Sequence, residues 1–254
     1  MQIKAKCLLL LGLTVVATSV VFCLRPIAQE AGYHDFADRR MFWGIPNCWN
    51  VLSNFPFVVV GVVGLVAVWK ARVPMPVGLM YGVLFTGVLL TGLGSAYYHW
   101  HPDNDRLVWD RIPMTIVFMS LLAATVAELV SRRLGLGLFV PLLVLGIGSV
   151  LWWHWTELQG RGDLRLYGLV QFYPVVFIPL LLWLFYNPVY RPAIWSLVWV
   201  VVWYVLAKAA EALDRPIFEA VGVSGHTIKH LAAAVSTAYL VQMFRRKYGG
   251  AGIE

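Results

Sequence analysis

Five polar residues stand where apolar helices should run. Ser95 and His99 are four apart near the end of one long apolar segment, Asp110 opens the next, and His226 and His230 are four apart at the start of the last. An unpartnered polar group in hydrocarbon costs several kcal/mol, so ionisable residues in such segments read as functional. Three imidazoles, a carboxylate and a hydroxyl are the components of a hydrolytic zinc site. His226 and His230 share one helix face and can grip one ion together, with His99 as the third nitrogen from a neighbouring helix. Three neutral ligands leave a fourth position open for water, whose pKa such a metal lowers toward about 7. Asp110 is then the candidate to take the water's proton and pass it to a leaving amine. Ser95 is the candidate to hydrogen-bond a developing oxyanion or the reacting water. A bis-histidine haem is the rival use, but it needs one ligand on each side of the ring, and His226 and His230 lie on one side of one helix.

These residues need long helices to hold them. Spanning stretches recur at 7–24, 49–69, 77–98, 108–130, 136–155, 166–186, 193–212 and 225–244. Their apolar runs are continuous rather than alternating, which predicts helices and not barrel strands. The fold expected is therefore all-α: a polytopic membrane bundle of seven helices plus one extra N-terminal transmembrane helix. The run from Cys7 to Leu24 lacks a small-x-small cleavage site and is long enough to span, so it is expected to be retained. Pro74, Pro76, Pro188 and Pro192 punctuate loops, whereas Pro56, Pro141, Pro174 and Pro179 fall in or near spans and could kink them.

Composition agrees. Of 254 residues 60% are hydrophobic and only 13% charged, about half the charged share of a soluble domain. The mean hydropathy is +0.72 and the pI about 9.5. The basic residues fall in short loops, so membrane orientation explains them and no nucleic-acid partner is expected. One set of loops and termini holds Lys4, Lys6, Lys70, Arg72, Arg132, Arg133, Arg191, Arg245, Arg246 and Lys247 with almost no acid. That set is expected to be cytoplasmic, which puts both termini inside and all five polar residues near the non-cytoplasmic face. Cys7, Cys23 and Cys48 are too few and scattered for a disulfide framework.

The chain resembles the alkaline ceramidases, a group within the seven-helix membrane hydrolase superfamily that includes the adiponectin-receptor-like proteins. Three blocks carry the resemblance: Asn50-Val51-Leu52-Ser53-Asn54; Gly92-Leu93-Gly94-Ser95-Ala96-Tyr97-Tyr98-His99 followed by Asp110-Arg111-Ile112-Pro113-Met114; and Gly225-His226-Thr227-Ile228-Lys229-His230-Leu231. The resemblance implies an intramembrane Zn²⁺ on His99, His226 and His230, with Ser95 and Asp110 essential to catalysis. It implies hydrolysis of a ceramide-like lipid amide to sphingoid base and fatty acid. The expected units are an N-terminal helix and outer loop over 1–33, a hydrolase domain over 34–245 and a cytoplasmic tail over 246–254. A bacterial-type member is expected, which would sit in the plasma or inner membrane.

Eukaryotic members carry an acidic calcium site before the first shared helix. Here the matching stretch reads His34-Asp35-Phe36-Ala37-Asp38-Arg39-Arg40, with Asn47 further on. Asp35 and Asp38 could supply two ligands of a weak second site, but calcium wants more hard oxygens and is not expected. Arg40 is expected to replace it with a salt bridge to Asp35 or Asp38.

Other polar residues have plainer readings. Lys229 lies between the histidines on another face and is expected to snorkel; Glu128 is expected to reach the interface. Lys208 and Glu211 are expected to pair with each other or with Asp214. His101 reads as a solvated loop histidine, and His154 with Glu157 as part of the interfacial belt. Asn50 and Ser53 are candidates to support the site from behind. The alternative to an enzyme is a lipid-sensing, receptor-like membrane protein that keeps a structural zinc without turnover.

Overall fold

In the computed structural model the described residues are 3–188 and 191–249, with the side chains of 192 and 193 set aside. The helices are α1 (Ile3–Cys23), α2 (Cys48–Leu52), α3 (Phe55–Ala71), α4 (Met75–Trp100), α5 (Asn104–Leu129), α6 (Arg132–Leu158), α7 (Arg165–Leu184), α8 (Arg191–Ala212), α9 (Asp214–Val221) and α10 (Gly225–Tyr248). Among the described residues the only β-type pairing is an isolated bridge between Phe42 and Ile45. Among the described residues, seven stretches are long and apolar enough to cross a membrane: α1, Cys48–Ala71, α4, α5, α6, α7 and Ile194–Ala212 of α8. The expected all-α polytopic fold is what the chain forms. α10 is too polar to meet that criterion because it carries His226, Lys229 and His230, yet it packs along α8 and α3 as a full-length helix of the bundle.

The helices α10, α3, α4, α5 and α7 follow one another by contact around a central space, and α8 continues the series from α10. α6 packs outside, against α5 and α7. α1 lies on the periphery against α7, joined by a Thr14–Tyr173 hydroxyl pair at 2.6 Å and by Lys6 Nζ donating to the Leu184 carbonyl at 2.6 Å. Its side chains are mostly exposed apart from Leu10, as suits a helix bathed in lipid on most sides. α7 and α8 have little contact with each other among the described residues, so the series is not closed there.

Three local departures from the sequence reading matter for the site. The stretch expected as one span at 49–69 is broken at Ser53-Asn54 into α2 and α3. Pro56 lacks the N–H that would bond residue 52, and its ring disfavours helical backbone just before it. The Asn54 amide donates instead to the carbonyls of Asn50 (2.7 Å) and Val51 (3.5 Å), which satisfies acceptors the break releases. Secondly, Asp110 does not open α5. The helix starts at Asn104, and Asp103 caps it by accepting from Arg106 N at 2.7 Å. Asp110 thus sits well inside a helix, its geometry set by regular backbone. Thirdly, the segment after α8 is a short amphipathic helix, α9, rather than a plain loop. The tail expected over 246–254 begins within α10, which runs to Tyr248; residues 250–254 lie outside the described residues.

Candidate metal centre and lipid cavity

His99, His226 and His230 are brought together by α4 and α10. Their ligand atoms all lie within 4.8 Å of one another, and all three residues are buried. The rings meet edge-on with centroids 4.7 to 4.8 Å apart. His99 Nε2 and His226 Nε2 are separated by 3.2 Å. On a tetrahedral centre with metal–nitrogen bonds of about 2.0–2.1 Å, neighbouring nitrogens stand about 3.3 Å apart, so this pair already has the spacing of one tetrahedral edge. Imidazole donors suit zinc and other first-row transition ions. The donor set fits a metal ion.

The surroundings orient these rings. Ser53 Oγ donates to the Asn50 carbonyl at 3.2 Å and lies 2.8 Å from His230 Nδ1. With its proton on Asn50, the hydroxyl is the acceptor of Nδ1–H, which leaves the Nε2 lone pair facing the other two histidines. The break between α2 and α3 is what brings Ser53 there. The Asn50 carboxamide accepts from Thr227 Oγ1 at 2.8 Å and so ties α2 to the histidine helix. Ser224 caps α10 by accepting from His226 N and Thr227 N. Asp214 Oδ1 in turn accepts from Ser224 Oγ (2.5 Å) and His226 N (2.9 Å), while Oδ2 accepts from Ala37 N (2.9 Å). One carboxylate thereby joins the start of α9, the start of α10 and the outer loop. Gly225 makes this possible: a Cβ there would stand 2.3 Å from the Ala210 carbonyl oxygen.

Ser95 and Asp110 face one another across α4 and α5 at the polar end of one cavity. The residue before each explains the approach. A Cβ on Gly94 would stand 2.0 Å from the Trp109 carbonyl oxygen, so only glycine lets the two helices come this close. Ser95 and Asp110 are buried, and both line the same cavity as His230.

That cavity has a volume of about 580 Å³, within the usual range for a small-molecule pocket. Its polar end is formed by Ser95, Asp110, Lys229 and His230; beyond Thr91 and Tyr204 it is almost wholly apolar, down to Trp183 and Ile194. From Asp110 to Leu121 along α5 it extends eleven residues, about 16 Å of helix. Trp183 of α7 and Val198 and Val202 of α8 line it and are also exposed on the bundle surface. The cavity therefore reaches the lipid-facing surface between α7 and α8, where the bundle is not closed.

The outer loop covers the other side. Phe36 is buried and lies over His99 and His226, with ring centroids 4.7 and 4.4 Å away. Asp38, also buried, is paired with Arg40, whose Nε and Nη2 donate to its two oxygens at 2.9 and 2.6 Å. The expected Arg40 salt bridge is thus present, to Asp38. Burial pushes the Asp38 carboxyl up, but the Arg40 hydrogen bonds and charge outweigh it and hold the group below its ordinary value. Asp35 pairs instead with Arg39 and with Arg215, whose Nη2 is 2.7 Å away. The two carboxylates of the weak second site are each engaged by arginine and not by one another.

Two of the plainer sequence readings are overturned. Lys229 does not snorkel: its Nζ donates to Glu211 at 2.5 Å, on the cavity wall, while Lys208 pairs with the other oxygen of Glu211. Helix packing supplied a carboxylate nearer than the interface. Glu128 is likewise enclosed, accepting from Tyr81 at 2.9 Å and Tyr248 at 2.7 Å and pairing with Lys247. Phe36 was not singled out from the sequence, and Asp214 only as a possible partner of Lys208 or Glu211, whereas it binds Ala37, Ser224 and His226 instead; neither carries a local signal for its role. Ser224 could have been: a serine just before a helical run is a recognised start signal.

A helical membrane bundle with three convergent buried imidazoles, a Ser–Asp pair and a lipid-sized apolar cavity defines a class. It is a polytopic membrane protein with an internal site able to hold a metal ion and to take a long-chain ligand. Within that class the chain belongs to the Ceramidase family, whose profile matches residues 41–245. The match spans His99, His226 and His230 together with Ser95 and Asp110. Comparison with curated proteins and with solved structures returned no match.

Proposed function

We propose that the protein is an intramembrane zinc hydrolase that cleaves the amide of a ceramide-like N-acyl lipid into an amine and a fatty acid. The observation that carries this is the junction of two environments. Three imidazoles cluster, and one of them, His230, forms with Ser95 and Asp110 the polar end of an apolar cavity that opens between α7 and α8. An acyl chain entering sideways would bring its amide to that end.

His99, His226 and His230 would hold the metal through ring nitrogens. Zinc bound there would polarise a carbonyl and make water a better nucleophile near neutral pH. An Asp110 carboxylate oxygen accepts the proton of the attacking water as the new C–O bond forms. It returns that proton to the amide nitrogen as the C–N bond breaks. Ser95 Oγ, on the same cavity wall as Asp110, would donate its proton toward the developing oxyanion. Phe36 and the outer loop exclude bulk water from the imidazoles, which strengthens each of these interactions.

The hydrolase unit is taken as 34–245, with 1–33 as an added helix and outer loop and the tail from 246. Both termini are taken as cytoplasmic on the charge asymmetry of the loops, which puts the site near the outer face.

The test is Asp110→Asn. A hydrolase keeps stoichiometric zinc and loses fatty acid release from a ceramide. A receptor-like protein with a structural zinc has no turnover to lose and melts lower on chelation, and that result would retire the enzyme reading.

A further inference from the structure

Charge at the cavity's polar end is balanced, but hydrogen bonding is not. Lys208 and Lys229 both pair with Glu211, Lys208 from the same helix and Lys229 from α10 at 2.5 Å. Asp110 supplies a second carboxylate at this end, so nothing here calls for an anion. An ammonium nevertheless carries three N–H donors. Among the described residues, the one acceptor that Lys229 Nζ meets is Glu211 Oε1. The Lys208 side chain is 40% exposed, so water can take its remaining protons. The Lys229 side chain is 17% exposed and lines the cavity beside His230, Ser95 and Asp110. Its remaining N–H groups therefore stand in the wall of a mostly apolar cavity. A buried donor left unmade carries the full penalty of its lost hydration. A methionine would close the same wall without that penalty, and ionisable groups kept inside membrane proteins are functional by default.

We infer that Lys229 is the residue that binds the lipid's head group. It donates to a neutral hydroxyl oxygen a few bonds from the amide nitrogen, so the site selects N-acyl amino alcohols over N-acyl alkylamines. This rests on the hydrolase reading above. In that reading the acyl chain fills the apolar remainder of the cavity, and the carbonyl oxygen is served by the histidine site and Ser95. The oxygen that meets Lys229 therefore lies on the amine side. Lys229 and His230 are consecutive and line one end of the cavity, which keeps that oxygen close to the scissile amide. A hydroxyl accepts a hydrogen bond from a charged donor without adding charge of its own, and so preserves the balance with Glu211 and Asp110. A methyl in its place leaves Nζ facing hydrocarbon.

The test uses two hydrolysis-resistant mimics of the amide, N-pentadecyl-N′-hydroxyethyl urea and N-pentadecyl-N′-propyl urea, which differ only in a terminal hydroxyl against a methyl. Binding of each to the zinc-loaded full chain in detergent is measured by calorimetry, and the same preparation is assayed for fatty acid release from ceramide. The wild type is expected to bind the hydroxyethyl urea about tenfold more tightly or better, the return for one hydrogen bond from a charged donor. Lys229→Met should erase that preference. Lys229→Arg, which keeps the pair with Glu211 and N–H groups to spare, should retain it, and so should Lys208→Met. Equal binding of the two ureas by the wild type overturns the inference whatever the variants do. A preference that persists in Lys229→Met, or that Lys208→Met erases as fully, overturns it too. Release from ceramide by a protein that binds both ureas equally would refute the role of Lys229 and leave the hydrolase reading intact. Hydroxyl-selective binding that depends on Lys229, with no release from ceramide, would refute the hydrolase reading and uphold the role of Lys229.

Discussion

Replacing Gly94 by alanine should disable the protein through a single methyl group. The added Cβ would stand 2.0 Å from the Trp109 carbonyl oxygen, a backbone atom of α5, and 2.8 Å from its carbonyl carbon. Neither is the end of a flexible side chain, so relief requires α4 and α5 to part by about 1 Å to regain even a tight contact. The displaced residues are the neighbours of Ser95 and Asp110, so the parting opens that pair directly. A misplacement of about 1 Å can cost on the order of 10²-fold in rate. Overpacking costs about 1–3 kcal/mol, and alanine's better helix propensity returns roughly 1 kcal/mol. Stability should therefore fall by no more than about 2 kcal/mol while activity falls far more. Gly82→Ala on the same helix is the control, because a Cβ there meets nothing within 4 Å. The assay is fatty acid release from a ceramide or N-acyl lipid, with zinc content and melting temperature measured on the same preparations. Zinc should stay bound in both variants, since the histidines are not at this contact. A Gly94→Ala protein with wild-type rate would refute the claim that this helix approach sets the Ser95–Asp110 geometry. Equal losses in Gly82→Ala would do the same.

Three further outcomes follow from the geometry. The double variant His226→Ala, His230→Ala should lose stoichiometric zinc by elemental analysis together with all turnover, whereas zinc retention would show that the ion binds elsewhere. Ser53→Ala removes the acceptor that orients His230 and should weaken zinc about 10–100-fold in a chelator titration; an unchanged affinity would mean the contact does not orient the ring. Asp38 has a folded-state pKa below its ordinary value of 3.8. Its ion pair therefore stabilises the outer loop fully above that value and is lost as pH falls through the folded one. Asp38→Asn should flatten the acid side of the melting profile below about pH 4, and parallel profiles for the two proteins would contradict the assignment.

How much of this was legible in the chain depends on the distance over which each feature is decided. The spans were legible because a helix that crosses lipid is defined by its own apolar length. The histidine pair on α10 was legible because residues four apart share a face whatever surrounds them. The break before Pro56 was only half legible: proline forecasts a kink, but not that the kink presents Ser53 to a histidine 177 residues away. Lys229 was misread because snorkelling is judged on one helix, while its partner Glu211 lies on another, 18 residues earlier. Glu128 was misread for the same reason, since its partners Lys247 and Tyr248 come from the far end of the chain.

By itself, the sequence determined the helical membrane architecture and the residue types able to bind a metal and move a proton, because period, length and hydropathy are local quantities. The tertiary structure decided that three imidazoles converge, that Gly94 brings Ser95 to Asp110, and that Asp214 and Phe36 fasten and cover the site. It also decided that the cavity reaches the lipid between α7 and α8. Each of these is a contact between segments far apart in the chain, fixed by which helix faces can pack closely, and helix-face packing has no signature within a single stretch of residues.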